Sequence, residues 1–183
     1  MAASASDHML SGYKVLDFTQ FVAGPTVTKL MAEVGAEIIK IELAPKGDLC
    51  RTFPHVREQR SAYFVQQNRG KMSLCLDIKR PEAQRIVREL VPQVDVLVQN
   101  YAPGVIGRMG FDYQQVRKLN PRIVMCSVST FGQSGPLATA PGYDFIGQAY
   151  AGVTSLSGEE GVTTIPRRSP SAMSRLGFMP TLR

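Results

Sequence analysis

The sequence predicts an α/β fold on an open, mostly parallel sheet with flanking helices, and three features carry that reading. Val15 to Glu42 runs strand, tight turn, helix, strand, with polar groups where the first strand ends. Strand and helix patterns then keep alternating as far as Tyr150. The strand segments are short apolar runs of the kind buried on both faces of a parallel sheet.

The elements follow in order. Val15 to Phe18 is the first strand, and Ala23-Gly24-Pro25 turns the chain, with Pro25 suited to a first helical position where its missing N–H costs nothing. Val27, Leu30, Met31 and Val34 recur at helical spacing and predict an apolar face, ended by Gly35 as a left-handed cap. Ile38 to Ile41 is the second strand, reached by a right-handed crossover. Ser73 to Leu76 is a strand, Pro81 to Leu90 a helix, and Val94 to Val98 a strand. Gln114 to Leu119 is a short helix broken by Pro121, and Ile123 to Val128 is a strand. Ser129 to Gly142 is a loop punctuated by Gly and Pro. Asp144 is placed to cap a helix over Ile146 to Tyr150. Residues 1–160 therefore form the folded part. Residues 161–183, with scattered Pro, Ser and Arg and no periodicity, predict a divergent, disordered tail.

Composition narrows the function. Hydrophobic residues make up 44% and charged residues 20% of the 183, an ordinary globular balance. The net charge is +6, but Arg167, Arg168, Arg175 and Arg183 supply four of those charges in a tail without acids. The remaining body, at +2 with mixed signs, does not suit nucleic acid. No apolar run reaches membrane-spanning length. Cys50, Cys75 and Cys126 are odd in number and far apart, which predicts reduced thiols and no metal site.

In open parallel sheets, ligands bind beyond the carboxyl ends of the strands. Those ends carry Thr19 and Gln20, Glu42, Asp77 and Lys79, Asn100 and Tyr101, and Ser129 and Thr130. Singly each suits a cap or turn; as a set they predict a small-molecule site. The glycines of a dinucleotide fingerprint and of a P-loop are missing. Gln67 to Lys71 is a basic glycine-containing turn, equally suited to a phosphate or to solvent. Asn100 to Gly104 followed by Arg108 combines an amide, an aromatic face and a guanidinium, a set able to hold a pantetheine amide and a nucleotide phosphate. His8 and His55 lie in polar contexts, and no Ser, Cys or Thr sits in a recognisable nucleophile motif.

Taken together, VLDFTxxxAGP, GAEIIKIE, GDLCR, NRGKMSLCLDIK, VLVQNYAPGVIGRMGFDY, LNPRIVMCSVSTFGQSGP and PGYDFIGQAYAGVTSLSG resemble, in order, the class III CoA-transferases. The resemblance runs from about Leu10 to Gly161 and covers the first part of a family member. It implies the N-terminal, CoA-binding part of a Rossmann-like fold, with CoA and acyl-CoA as substrates rather than a permanent cofactor. A related branch, the α-methylacyl-CoA racemases, carries a histidine where this chain has Tyr143, and an unaided Tyr is too weak a base near neutral pH. The implied reaction moves CoA from an acyl-CoA such as succinyl-CoA to a dicarboxylic acid such as glutarate. The implied partner is a second copy, and the implied compartment is mitochondrial; the first residues show no transit signal, which leaves a cytosolic alternative.

Family contacts to CoA fall on Gln20, Val22, Ala23, Leu76, Asp77, Ile78, Lys79, Asn100, Tyr101, Ala102 and Arg108. Leu43 and Ser129 stand where family members carry basic residues, which makes Lys46 and Lys71 the substitute phosphate contacts. The family's nucleophile is an aspartate that forms a mixed anhydride and then an aspartyl-CoA thioester. It lies beyond the SLSG segment, where this chain reads VTTIPRRSP; the last aspartate is Asp144 and the last acid Glu160. The expectation is a spliced or frameshifted form that keeps the CoA-facing half without a catalytic residue.

Overall fold

A computed structural model describes residues 8–156 together with Thr181 and Leu182. The strands are β1 (Lys14–Asp17), β2 (Glu37–Leu43), β3 (Val56–Arg57), β4 (Arg60–Ser61), β5 (Lys71–Leu76), β6 (Val96–Gln99), β7 (Val124–Ser127) and β8 (Thr181–Leu182). The helices are α1 (Ala23–Glu33), α2 (Ala62–Asn68), α3 (Pro81–Leu90), α4 (Val105–Arg108), α5 (Tyr113–Leu119) and α6 (Asp144–Tyr150). The main sheet runs β5-β2-β1-β6-β7-β8. Its first five strands are parallel, and β8 pairs antiparallel with β7. The predicted α/β class holds. The disorder expected of the tail falls outside the described residues, except that Thr181 and Leu182 form this edge strand.

Strand alternation sorts the core into two layers. Leu16, Phe18, Ile41 and Leu97 face α3 and α5 with Val87 and Val116. Val15, Ile38, Val98 and Cys126 face the other way, toward Val27 and Met31 of α1. That second face is apolar only in part. Asp17, Lys40 and Glu42 follow on it at strand alternation and are 0%, 1% and 2% exposed. Lys71 and Ser73 extend the same polar half, since they lie beside Ile38 and Lys40 in the β2–β5 register.

The α1 helix departs from its predicted form for this reason. Leu30 and Val34 are exposed, while Thr26 and Thr28 are buried against Gln67 and Asp17. The helix starts at Ala23, so Pro25 is its third residue, where the N–H is still one of the orphans. Gly35 does take a left-handed φ of +102°. Asp144 is not a cap: Tyr143 holds that position, and Asp144 Oδ2 accepts a bond from Gln148 Nε2 inside the helix. Among the described residues no helix is long and apolar enough to cross a membrane.

Candidate functional site

The strand order reverses between β1 and β6: the chain leaves β1 toward β2 and β5, and leaves β6 toward β7. A crevice opens at such a switch point, beyond the carboxyl ends. Here the segments that follow β1 and β6 meet through Gln20 and Asn100. Asn100 Oδ1 accepts from Gln20 N at 2.7 Å, and Asn100 Nδ2 donates to Gln20 O at 2.8 Å. Gln20 Nε2 donates to the Tyr101 hydroxyl at 2.9 Å. Burial pushes that phenol up, so it stays a neutral hydrogen-bonding group. A Cβ at Gly24 would lie 2.6 Å from Thr19 Cβ and 2.9 Å from Asn100 Cγ, so α1 can begin this close only with glycine there.

Beneath the crevice lies a buried ionic layer. Asp17 accepts bonds from Thr19 N, Thr19 Oγ1 and Thr28 Oγ1 and pairs with Lys71 Nζ at 3.1 Å. Burial pushes its carboxyl up, but Lys40, Lys71 and the two threonine hydroxyls outweigh that and hold it below the ordinary range. Lys40 Nζ donates to Thr19 O at 2.6 Å and lies 3.0 Å from Asp48 Oδ2. Glu42 takes a two-pronged bond from Arg51 (2.7 Å each) and further bonds from Ser73 Oγ and Asp48 N. Against the upward push of burial, those donors hold Glu42 down at about 2. Three acids therefore meet three bases in one fully compensated layer, as buried charge requires.

A second feature flanks the crevice. Ile78 and Lys79 after β5, Gln84 of α3, and Val105, Arg108 and Met109 line a cleft of about 210 Å³. Its walls are apolar, and among the described residues the Lys79 and Arg108 side chains form no ion pair. Gly104, at a φ of +83°, turns the chain from Tyr101 into α4 and so brings Arg108 to this cleft.

The sequence profile of CoA-transferase family III matches residues 10–176. The chain belongs to that family. It is 40% identical over 152 residues to succinyl-CoA:glutarate CoA-transferase of Mus musculus, covering 82% of this chain and 35% of the relative. It is 44% identical over 148 residues to acetyl-CoA:oxalate CoA-transferase of Acetobacter aceti, covering 80% and 38%. A CAIB/BAIF family protein from Brucella suis superposes with a TM-score of 0.80 at 36% identity, over 88% of this chain and 43% of that one. The chain thus spans little more than a third of the length of the two curated relatives.

On this family III scaffold the expected contact residues separate into groups. Gln20, Asn100 and Tyr101 meet directly, with Val22 and Ala23 at the adjoining start of α1. Ile78, Lys79 and Arg108 share the cleft. Asp77 shapes the turn before α3 by accepting from Lys79 N, Leu76 packs against the core, and Ala102 is exposed beside Tyr101. Lys71 is a correction. Instead of standing in an open basic turn, its side chain is 1% exposed and its ammonium is bonded to Asp17, Pro25 O, Thr28 and Asn68. Those four oxygens use it up as an internal counter-ion, whereas Lys46 remains exposed. Glu42 is likewise drawn inward by Arg51.

Asp17 and Lys40, which sequence reasoning leaves out of the site, do carry a signal: each is a charged residue inside an apolar strand run, VLDF and IIKIE, and a buried charge needs a partner. Asp48 and Arg51 lie in the loop after β2 and carry no such signal.

Proposed function

We propose that this chain is the CoA-holding part of a CoA-transferase moving CoA from an acyl-CoA such as succinyl-CoA to a dicarboxylic acid such as glutarate, through an aspartyl-CoA intermediate. The observation that carries the reading is the juxtaposition at the switch point. A stitched amide–phenol cluster beside the uncapped start of α1 adjoins an apolar cleft holding two cations. Free N–H groups at a helix start favour phosphate oxygens, and the clustered amides suit a pantetheine chain. Lys79 and Arg108 suit the remaining phosphate. Similarity to transferases acting on succinyl-CoA with glutarate, and on acetyl-CoA with oxalate, supports the substrate class.

A second reading has its own support: the chain holds CoA without turning it over, alone or beside a longer subunit. Asp17, Glu42 and Asp48, the acids beneath the crevice, are committed to internal cations. A transfer that exchanges one activated carboxyl for another needs a free carboxylate. Calorimetric titration with CoA, followed by a succinyl-CoA plus glutarate assay, tests both. Binding without turnover is expected of the chain alone; turnover overturns the second reading, and no CoA binding overturns both.

A further inference from the structure

We propose that the buried Lys40–Asp48 pair is a positioning device that sets the conformation of the Thr19–Phe21 turn and, through it, the affinity for CoA. The inference rests on the CoA-binding reading above. It starts from a feature of the turn itself: successive backbone polar groups are held by side chains from four separate segments. Thr19 N is held by Asp17, Thr19 O by Lys40, both groups of Gln20 by Asn100, and Phe21 N by Asp48 at 3.3 Å.

Phe21 needs such a template. Its φ is +64°, the left-handed region that an aromatic residue rarely enters unaided. Its ring lies 6.2 Å from that of Phe53, next to the short turn Leu49–Thr52 that Asp48 caps through Cys50 N. Asp48 thus joins two loops with one carboxylate. Its Oδ1 serves Phe21 N and Cys50 N, and its Oδ2 has no aligned donor and rests on the Lys40 ammonium. Lys40 in turn spans from Asp48 to the Thr19 carbonyl, with its side chain 1% exposed. The pair is therefore the only connection among the described hydrogen bonds and ion pairs between Thr19 O and the Leu49–Thr52 turn. Gln20 and the α1 start lie immediately beyond it. A small rotation at Phe21 would move both.

The test uses the whole chain and three forms: unaltered, Lys40→Met, and the double variant Lys40→Met/Asp48→Asn. Lys40→Met alone leaves a buried, uncompensated carboxylate, so its melting temperature falls. The double variant removes that charge while keeping an amide oxygen for Phe21 N, and most of the lost melting temperature returns. CoA affinity, read by calorimetry, stays about tenfold weaker in the double variant because Thr19 O has lost its anchor. Amide exchange at Gln20 and Phe21 stays faster than in the unaltered chain. If CoA affinity and amide protection both return with the melting temperature, the pair is merely structural and the inference is overturned. If the unaltered chain ignores CoA, the CoA-binding reading fails and takes this inference with it, a result distinct from the first.

Discussion

Asn100 holds Gln20 from both sides, its amide oxygen taking the Gln20 N–H at 2.7 Å and its amide nitrogen giving a hydrogen to the Gln20 carbonyl at 2.8 Å. These two residues follow the ends of β1 and β6 and lie 80 positions apart in sequence, so the pair closes the switch point. Asn100→Ala leaves two part-buried backbone groups without these partners, a loss of about 1–3 kcal/mol. Urea denaturation should show a lowered midpoint with an unchanged slope, and CoA affinity should fall with it. A midpoint equal to that of the unaltered chain would mean the clasp contributes nothing to the fold.

Lys71 supports the fold from within. Replacing it with Met leaves Asp17 Oδ2 only the Thr28 hydroxyl in place of a cation and removes the donor shared by Thr28, Asn68 and Pro25. Breaking a buried pair this way costs about 3–5 kcal/mol. The expected result is a large loss of stability, measured by chemical denaturation, with no recovery on adding phosphate. A stable Lys71→Met chain with weakened CoA binding would restore the lysine to the ligand site.

Acid should unfold the protein through Glu42 and Asp17. Both carboxyls are lower in the folded chain than in the unfolded one, Glu42 at about 2 against an ordinary 4.5. The unfolded state then binds more protons as pH falls below about 4.5. The stabilisation is complete above that point and drains away toward pH 2. Glu42→Gln should be less stable at neutral pH, where it has lost the charged bond to Arg51. It should also show a shallower fall in stability between pH 5 and about pH 2. An acid limb as steep as that of the unaltered chain would assign the effect to other groups.

Much of this was legible in the residues. Parallel strands, their order of appearance and the ligand edge follow from apolar runs alternating with helical spacing. Gln20, Asn100 and Tyr101 could be placed at that edge because strand ends are marked by the first polar residue after each run. The buried layer was harder to read. Asp17 and Lys40 sit inside strands, and periodicity says which face they occupy without saying that Lys71 and Asp48 arrive opposite them. Lys71 illustrates the difficulty: a Gly-Lys pair suggests an exposed turn, but Gly70 at +78° ends that turn and Lys71 opens β5 against Ile38. The four-residue α4 escaped because it carries too few turns to show a period.

The three cysteines should differ sharply in reactivity. Burial pushes the Cys50 thiol up to about 12 and raises Cys126 as well, while Cys75 is exposed on the edge strand β5. Thiolate is the reacting form. An aromatic disulfide reagent at pH 8 should therefore titrate one thiol in the native chain and three in denaturant. Cys75→Ser should abolish the fast native reaction. A fast reaction surviving that substitution would mean that Cys50 or Cys126 opens to solvent.

The cleft makes the sharpest demand on the CoA reading, because Lys79 and Arg108 lie on different elements and share only the space between them. If both face one phosphorylated ligand, Lys79→Ala and Arg108→Ala should each weaken CoA by about tenfold and lower the salt dependence of binding. The effects should be non-additive, since the first loss lets the phosphate shift toward the remaining cation. A CoA analogue without the ribose phosphate separates the sources of the attraction. If these cations hold that phosphate, the analogue binds the unaltered chain as weakly as CoA binds a chain carrying both Lys79→Ala and Arg108→Ala, and the two substitutions no longer matter. If both substitutions weaken the analogue as much as they weaken CoA, the cations face the pyrophosphate instead. Equal CoA affinity in all forms would remove the cleft from the site and leave the β1–β6 crevice to hold the ligand.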